Sequence, residues 1–222
     1  MTVAKSTVRR ALSRDVIQRT VDKYGFCAYA TGQSYDEFLS FCGQFGEVFH
    51  IADVKLVGGP RPRAYQRADE VEFHTDHISA RLAAWYCIER EPTGNEMRLI
   101  DLAPLGTKMS ADELTALSRA KIYLRKPEHG AWEEGHIPVW QTRDGRDLYQ
   151  YIAWSPPAFE DGAAQAAFER FQGLINNAIR SDVIEVDLQK GDALFLDNNR
   201  VMHGRHALPR NSKRYLKRIL VR

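Results

Sequence analysis

Apolar residues recur at helical spacing in two segments near the N-terminus. These positions are Leu12, Val16, Ile17, Thr20 and Val21 in the first segment, and Phe38, Leu39, Phe41, Cys42 and Phe45 in the second. The first pattern stops at Gly25, and the second follows a capping box of Ser34 and Glu37 and stops at Gly46. We therefore predict two helices, and the apolar residues 26–30 between them predict a buried strand.

Shorter apolar or alternating stretches follow, divided by glycine, proline and asparagine. They predict strands between residues 54 and 101. Two more helices are predicted, one after a capping box of Ser110 and Glu113 and one over residues 163–179. The last predicted strands cover residues 183–188, 193–196, 201–203 and 215–221. Many short strands with intervening helices favour a mainly β fold with helical additions, of the jelly-roll type.

No repeat, low-complexity tract or linker divides the sequence, so residues 1–222 are predicted to form a single domain. The net charge is only +2, which argues against nucleic acid or a membrane as the main partner and favours a small-molecule substrate. Cys27, Cys42 and Cys87 lie among apolar neighbours without a CxxC motif, and we interpret them as reduced core residues. The absence of an apolar leader in residues 1–15 predicts a cytoplasmic protein, and the oligomeric state stays open.

A candidate metal site begins in the segment Phe73-His74-Thr75-Asp76. Because residues two apart on a strand face the same side, His74 and Asp76 can direct a nitrogen and a carboxylate oxygen at one ion. A third ligand from a later strand would complete a facial triad of two histidines and one carboxylate, and His203 is the candidate. The motif is weak by itself in a chain with 7 histidines, but His74 is the only histidine followed two places later by an acidic residue.

Several motifs occur together in one order along the chain. They are Tyr24-Gly25-Phe26, Phe45-Gly46-Glu47, Phe73-His74-Thr75-Asp76, Lys190-Gly191-Asp192, Asp197-Asn198-Asn199-Arg200, His203-Gly204-Arg205 and Arg214-Tyr215-Leu216-Lys217-Arg218. In these motifs the chain resembles the taurine dioxygenase and clavaminate synthase-like family. The resemblance implies a double-stranded β-helix, with His74, Asp76 and His203 binding Fe(II). It also implies 2-oxoglutarate as cosubstrate, with its distal carboxylate held by Arg214, and O2 as the oxidant.

The arginine role has independent physical support. A planar guanidinium can hold a carboxylate through two parallel hydrogen bonds. Arg218 lies four residues after Arg214 on a predicted strand, so both are expected to point into the barrel, unlike Tyr215 and Lys217. Arg218 is then available to an anionic group of the substrate, and the resemblance suggests that His77 also lines the substrate pocket. The alternative is that this basic run is a solvated edge or a phosphate-binding strip.

The sequence departs from the family at one position near the cosubstrate. Members often carry a threonine beside the 2-oxoglutarate carboxylate in a Gly-x-x-Thr segment, where this chain has Met97 after Gly94. Thr93 or Thr107 could substitute for it. His206 is interpreted as a loop residue. An aromatic group is interpreted as core rather than as a binding cage; it consists of Trp132, Trp140, Tyr149, Tyr151 and Trp154.

The predicted function is that of an Fe(II)- and 2-oxoglutarate-dependent dioxygenase. It would hydroxylate a small anionic or amino-acid-like substrate and release succinate and CO2, with desaturation or cyclisation as open alternatives. Related halogenases lack the metal carboxylate, so Asp76 argues against that branch. The rival hypotheses are a jelly-roll metal-binding or sensing protein without turnover, and a nucleic-acid module that uses the basic C-terminal run.

Overall fold

The computed structural model of the protein describes residues 13–58, 63–92, 94, 96–124 and 135–222. The α-helices are α1 (Arg14–Tyr24), α2 (Tyr35–Cys42), α3 (Ala103–Gly106), α4 (Ala111–Leu117) and α5 (Gly162–Ser181), and the 3-10 helices cover Gly43–Phe45 and Ala64–Gln66. The strands are β1 (Phe26–Ala30), β2 (Val48–Lys55), β3 (Val71–His74), β4 (Leu82–Glu89), β5 (Met97–Asp101), β6 (Ala120–Leu124), β7 (Gly135–Pro138), β8 (Trp140–Arg143), β9 (Arg146–Tyr149), β10 (Pro157–Phe159), β11 (Ile184–Val186), β12 (Asp192–Asp197), β13 (Val201–Arg205) and β14 (Tyr215–Val221).

The helices begin and end close to their sequence signals. The Ser34 side chain accepts from the backbone N–H of Glu37, and the Glu37 carboxylate accepts from the backbone N–H of Ser34 at 2.7 Å, which completes the predicted capping box. Helix α1 ends at Gly25, whose φ of 82° lies in the left-handed region that glycine adopts without strain. Helix α2 ends at Cys42, and the rest of the predicted helix is a 3-10 turn.

Two antiparallel sheets form the centre of the fold. The larger sheet has the strand order β1-β12-β4-β14-β2, and the smaller sheet has the order β11-β5-β13-β3. Most neighbouring strands are far apart in sequence, as in a jelly roll. Strands β6, β7 and β10 form a third sheet, and β8 and β9 form a hairpin. This architecture agrees with the predicted mainly β fold with helical additions.

Strand β4 lies in the middle of the larger sheet and is buried on both faces. Three of its residues face the smaller sheet, namely Ala83, Trp85 and Cys87. Three alternate residues belong to the core beneath α1 and α2, namely Leu82, Ala84 and Tyr86. The period of two along a strand therefore separates an inner layer between the sheets from an outer layer under the helices.

Helix α5 covers the outer face of the smaller sheet. Its residues Phe168, Phe171 and Ile175 share one core cluster with Ile100 of β5 and Met202 of β13. The alternate residues of β5 and β13 point the other way, toward the larger sheet. As a result, α5 fixes which side chains of β13 face the space between the sheets.

Some elements differ from the prediction. The hairpin of β8 and β9 was not predicted, although Asp144 and Gly145 at its turn, both with positive φ, are a recognised hairpin signal. The strand predicted at 183–188 is shorter, Ile184–Val186, and Leu12 of the first helix lies outside the described residues. All three cysteines are free and buried, as predicted. No helix in the described part of the chain is long and apolar enough to cross a membrane.

Candidate metal centre

The candidate ligands come from adjacent strands of the smaller sheet. His74 is the last residue of β3, and His203 of β13 lies directly opposite it in the antiparallel register. The prediction placed Asp76 on the same strand as His74, but β3 ends at His74 and Asp76 lies two residues beyond it, in the turn that follows. One ligand atom from each of the three residues lies within 4.8 Å of the other two. The structure thus brings together the three residues that the sequence predicted.

The hydrogen bonds of His74 and Asp76 leave one ligand atom of each side chain available. His74 Nδ1 lies 2.9 Å from the carbonyl oxygen of Glu72, which only accepts, so Nδ1 carries the proton and Nε2 stays available. Asp76 Oδ1 accepts from Arg218 Nη1. Asp76 Oδ2 is buried without a hydrogen-bond partner among the described residues, and it lies 3.7 Å from His203 Nε2. A divalent cation would satisfy these atoms.

The donor set fits Fe(II). Two imidazoles and one carboxylate on one side of an ion leave coordination positions open on the other side, which is the arrangement of non-haem iron oxygenases. The Glu72 carbonyl is hydrogen-bonded to His74, and the Arg218 guanidinium is hydrogen-bonded to Asp76. Contacts of this type orient metal ligands.

The electrostatics keep the three residues in their metal-binding protonation states. Burial lowers the pKa of His74 and lowers that of His203 well below its usual value, so both imidazoles are neutral. Burial opposes ionisation of Asp76, but the positive charge of Arg218 outweighs it and lowers the pKa of Asp76. Neutral imidazole and ionised carboxylate are the forms that bind a metal ion.

The turn that carries Asp76 is held by a buried asparagine that sequence reasoning did not assign. Asn198 Oδ1 accepts from the Asp76 backbone N–H at 2.7 Å, and Nδ2 donates to the carbonyls of His77 at 3.1 Å and Ala80 at 2.9 Å. The Asn198 side chain is fully buried. The motif Asp197-Asn198-Asn199-Arg200 was the available signal, but it did not indicate a contact with Asp76.

A cavity lies between the sheets next to the three candidate ligands. Its walls are formed by Val54, Tyr65, Val71, His74, Trp85, Met97, His203, Gly204, Arg205, Arg214 and Arg218. Trp85 packs edge-on against His203, with ring centroids 4.7 Å apart. Three of the wall residues are buried arginines, so the cavity is strongly basic and suits an anion.

Arg214 lies in this wall and is only 1% exposed. Its Nη2 atom lies 3.2 Å from Met97 Sδ, so the methionine borders the arginine at the position discussed for threonine. Burial lowers the pKa of Arg214 to about 10, and repulsion from Arg205 adds to the effect. Thr107 is exposed and bonded to the Pro104 carbonyl, away from the cavity, and Thr93 lies outside the described residues.

Arg218 is 7% exposed and is held on two sides. Its Nη1 donates to Asp76, and its guanidinium lies over the Tyr65 ring, 5.2 Å from the centroid. Arg63 donates to the Tyr65 hydroxyl at 2.9 Å. The Nε atom of Arg218 is buried without a hydrogen-bond partner among the described residues. The reading of Arg214 and Arg218 as a solvated basic edge is therefore wrong.

The other candidates occupy different places. His77 is buried and accepts from the Ser79 backbone N–H at 3.1 Å, and the structure does not place it among the residues that line the cavity. Its predicted role in substrate binding stays a prediction. His206 is exposed in a loop and faces Glu185 at 3.6 Å.

The aromatic stretch is divided between core and surface. Tyr149 and Tyr151 are buried, as predicted, and Trp140 packs against the same core. Trp154 is instead 51% exposed, with its ring centroid 4.9 Å from that of His74, so its assignment to the core is wrong. The chain leaves the sheet just after the bridge between His74 and Ile152, which carries Trp154 to the surface. Trp132 lies outside the described residues.

A jelly roll with two histidines and one carboxylate beside a basic cavity is typical of non-haem iron oxygenases. The sequence profile described as "Taurine catabolism dioxygenase TauD, TfdA family" matches residues 8–220. The chain therefore belongs to the TauD/TfdA dioxygenase family, and the resemblance seen in the sequence is confirmed. It is an Fe(II)- and 2-oxoglutarate-dependent dioxygenase, as predicted.

Solved structures confirm the fold. An asparagine oxygenase, in complex with Fe(II), 3-hydroxyasparagine and succinate, aligns with a TM-score of 0.73 and 15% identity over 94% of this chain and 78% of that chain. The non-haem iron oxygenase OrfP in complex with Fe aligns with a TM-score of 0.72 and 17% identity over 94% of this chain and 79% of that chain. Another OrfP structure contains succinate and (3S)-hydroxy-L-Arg. A search of curated proteins finds no match to the chain.

Proposed function

We propose that the protein hydroxylates a free amino acid or a small amino-acid-like anion, with 2-oxoglutarate as cosubstrate. The observation that carries this proposal is the convergence of His74, Asp76 and His203 on a cavity lined by the buried Arg214 and Arg218. Bound Fe(II) and 2-oxoglutarate would supply the oxidising chemistry, with release of succinate and CO2. The protein supplies ligands, orientation and a site shielded from water.

The chain's own residues have distinct parts in this proposal. His74 Nε2, Asp76 Oδ2 and His203 Nε2 would hold the metal, and the contacts of Glu72 and Arg218 would fix the orientation of two of these ligands. Arg214 would hold the distal carboxylate of 2-oxoglutarate, because its guanidinium lies in a deeply buried wall of the same cavity. A fixed distal end sets the direction from which the keto-acid end approaches the metal.

An amino-acid-like substrate is supported by Arg218 and by the structural neighbours. Arg218 retains an unsatisfied Nε beside Asp76, where a substrate carboxylate could accept a hydrogen bond within reach of the metal. The asparagine oxygenase and OrfP were solved with hydroxylated amino acids. At 15% to 18% identity these neighbours do not specify which amino acid this chain uses.

A substrate screen tests this function. Protein reconstituted with Fe(II) under argon is mixed with 2-oxoglutarate, air-saturated buffer and one amino acid or small anion at a time. Succinate is quantified by chromatography, and oxidised substrate by mass spectrometry. We expect at least one amino acid to raise succinate formation and to gain one oxygen atom. The Asp76→Ala variant is the control.

Two results would contradict the proposal. Iron and 2-oxoglutarate binding without succinate from any compound would favour the metal-binding or sensing protein. Turnover with a non-amino-acid anion alone would retain the dioxygenase and reject the substrate class.

A further inference from the structure

Arg205 is a buried cation next to the metal centre that has no assigned role. It lies two residues after His203 on β13, so both side chains face the space between the sheets, and both line the cavity. The side chain of Arg205 is almost fully buried, with 3% exposure. Burial of a guanidinium is unfavourable unless its charge is compensated, so the position of Arg205 calls for an explanation.

The hydrogen bonds of Arg205 do not neutralise its charge, and the nearby carboxylate of Asp69 attracts it without forming an ion pair. Nη1 donates to the backbone carbonyls of Asp69 at 2.8 Å and His206 at 2.9 Å, and Nη2 donates to the carbonyl of Arg67. These acceptors are neutral. Nε is buried without a hydrogen-bond partner, and Arg205 forms no ion pair with the residues that the structure describes.

The strand register places Arg205 beside the family departure at Met97. Arg205 pairs directly with Met97 across β13 and β5, so both side chains point into the cavity. Arg214 contacts the same methionine, with its Nη2 atom 3.2 Å from the Met97 sulfur. Met97 is therefore bordered by two buried arginines, and its thioether is a poor partner for a carboxylate.

We propose that Arg205 is a second cationic anchor, with Arg214, for the distal carboxylate of 2-oxoglutarate, and that it takes the place of the hydroxyl missing at Met97. The inference rests on the proposed function in that it requires 2-oxoglutarate to bind in this cavity. A carboxylate has two oxygens and about four lone pairs, enough to accept from Arg214 and from the Nε of Arg205 together. The anion would also compensate the charge that the backbone carbonyls leave unbalanced.

A structural role is the competing explanation. Arg205 connects β13 to residues 67–69, and loss of these hydrogen bonds alone could disturb the cavity wall. Arg98 offers a matched control, because it forms an ion pair with Glu70 at 2.7 Å and so holds the adjacent part of the same segment. Arg98 alternates with Met97 on β5 and is absent from the residues that line the cavity.

The test measures 2-oxoglutarate dissociation constants by titrating the anaerobic Fe(II) complex of each variant and following its absorption in the visible region. The variants are Arg205→Met, Arg98→Met, Met97→Thr and the double variant of Met97→Thr with Arg205→Met. Fe(II) affinity without cosubstrate and the melting temperature of the metal-free protein are measured in parallel. We expect Arg205→Met to weaken 2-oxoglutarate binding about 10- to 100-fold while Fe(II) affinity changes little. Arg98→Met should leave 2-oxoglutarate binding unchanged.

The double variant decides between the two roles. If Arg205 binds the carboxylate, the new threonine hydroxyl should recover about tenfold of the lost affinity. If Arg205 only holds residues 67–69, Met97→Thr gives no recovery, and Arg98→Met weakens binding as well. That result would overturn the inference, as would unchanged affinity in Arg205→Met. Absence of 2-oxoglutarate binding by the unmodified protein would overturn the proposed function and this inference together.

Discussion

The two faces of strand β14 use charged residues in opposite ways. On the inner face, Arg218 is 7% exposed and donates to Asp76 between the sheets. On the outer face, Lys217 forms a 2.6 Å ion pair with Asp53 of β2, and these side chains are 22% and 44% exposed. The adjacent residues Lys217 and Arg218 thus form ion pairs of different kinds, one exposed to solvent and one buried.

The difference shows which charges serve function and which serve stability. A solvated pair stabilises the fold by less than about 1 kcal/mol, because water screens the attraction. A buried pair costs desolvation energy and is a weak source of stability, so its retention suggests another use. For Arg218 and Asp76 the use we propose is the orientation of a metal ligand, whereas Lys217 and Asp53 join β14 to the edge strand β2. Changes on the inner side should therefore alter binding, and changes on the outer side should alter only stability.

The largest effect is expected for Asp76→Ala. This change removes the charged metal ligand and leaves Arg218 buried without its acidic partner. We expect Fe(II) binding and succinate formation to fall to background in anaerobic metal titrations and turnover assays. His74→Ala and His203→Ala should behave similarly. The control His206→Ala, at an exposed histidine, should bind iron normally. Full activity in any ligand variant would remove that residue from the site.

The next effect separates the two inner arginines. Arg214→Met should weaken 2-oxoglutarate binding by about 30- to 1,000-fold, since it removes a charge-assisted contact from a buried wall. Arg218→Met should weaken Fe(II) binding through the lost contact with Asp76; at saturating Fe(II) it should spare more of the cosubstrate affinity and uncouple turnover, so that succinate forms with little oxidised substrate.

The measurements are titration of the anaerobic iron complex and the ratio of succinate to oxidised product. An unchanged affinity in Arg214→Met together with a large loss in Arg218→Met would show that the two roles are exchanged.

The sequence predicted the parts of this site that depend on local geometry. His74 and Asp76 could be paired because the period of two along a strand is a local rule, and the capping box of Ser34 and Glu37 is likewise complete within four residues. Asp144 and Gly145 are also a local signal, for the turn of the β8 and β9 hairpin, although that hairpin was not predicted. Local rules therefore located elements and ligand pairs.

Sequence reasoning could not reach the contacts that depend on long-range register. Asp76 and Arg218 are 142 residues apart, and their pairing is set by how β14 and β3 face each other across the core. The alignment of Arg205 with Met97 similarly follows from the β13 and β5 register. Gly204 shows the same limit, because a Cβ there would lie 2.6 Å from the Val71 carbonyl oxygen of the neighbouring strand. A sequence motif identifies such residues but does not show which distant residues they contact.

A smaller effect is expected for Asn198, whose side chain holds the turn that carries Asp76. Asn198→Ala removes a 2.7 Å hydrogen bond from the Asp76 backbone and leaves the carbonyls of His77 and Ala80 without these donors. We expect the free energy of unfolding to fall by about 1–3 kcal/mol and Fe(II) affinity to fall about tenfold. Urea unfolding and anaerobic metal titration measure the two quantities. A loss of stability with normal Fe(II) affinity would limit Asn198 to a structural role.

The smallest effect is expected on the outer face, for Lys217→Met. The lost ion pair with Asp53 should lower the free energy of unfolding by about 0.5 kcal/mol at low salt, with no change in Fe(II) or 2-oxoglutarate affinity.

Hydrogen bonding to Lys217 lowers the pKa of Asp53 below 3.8, so this stabilisation is present above that pH and is lost as pH falls through the lower value. Hydrogen bonding to Asp53 raises the pKa of Lys217 above 10.5, so the stabilisation is complete below that pH and is lost as pH rises through the higher value. Urea unfolding of both proteins between about pH 5 and 9 should therefore give a constant difference. A weakened 2-oxoglutarate affinity in Lys217→Met would show that the two faces of β14 are coupled and would break the comparison.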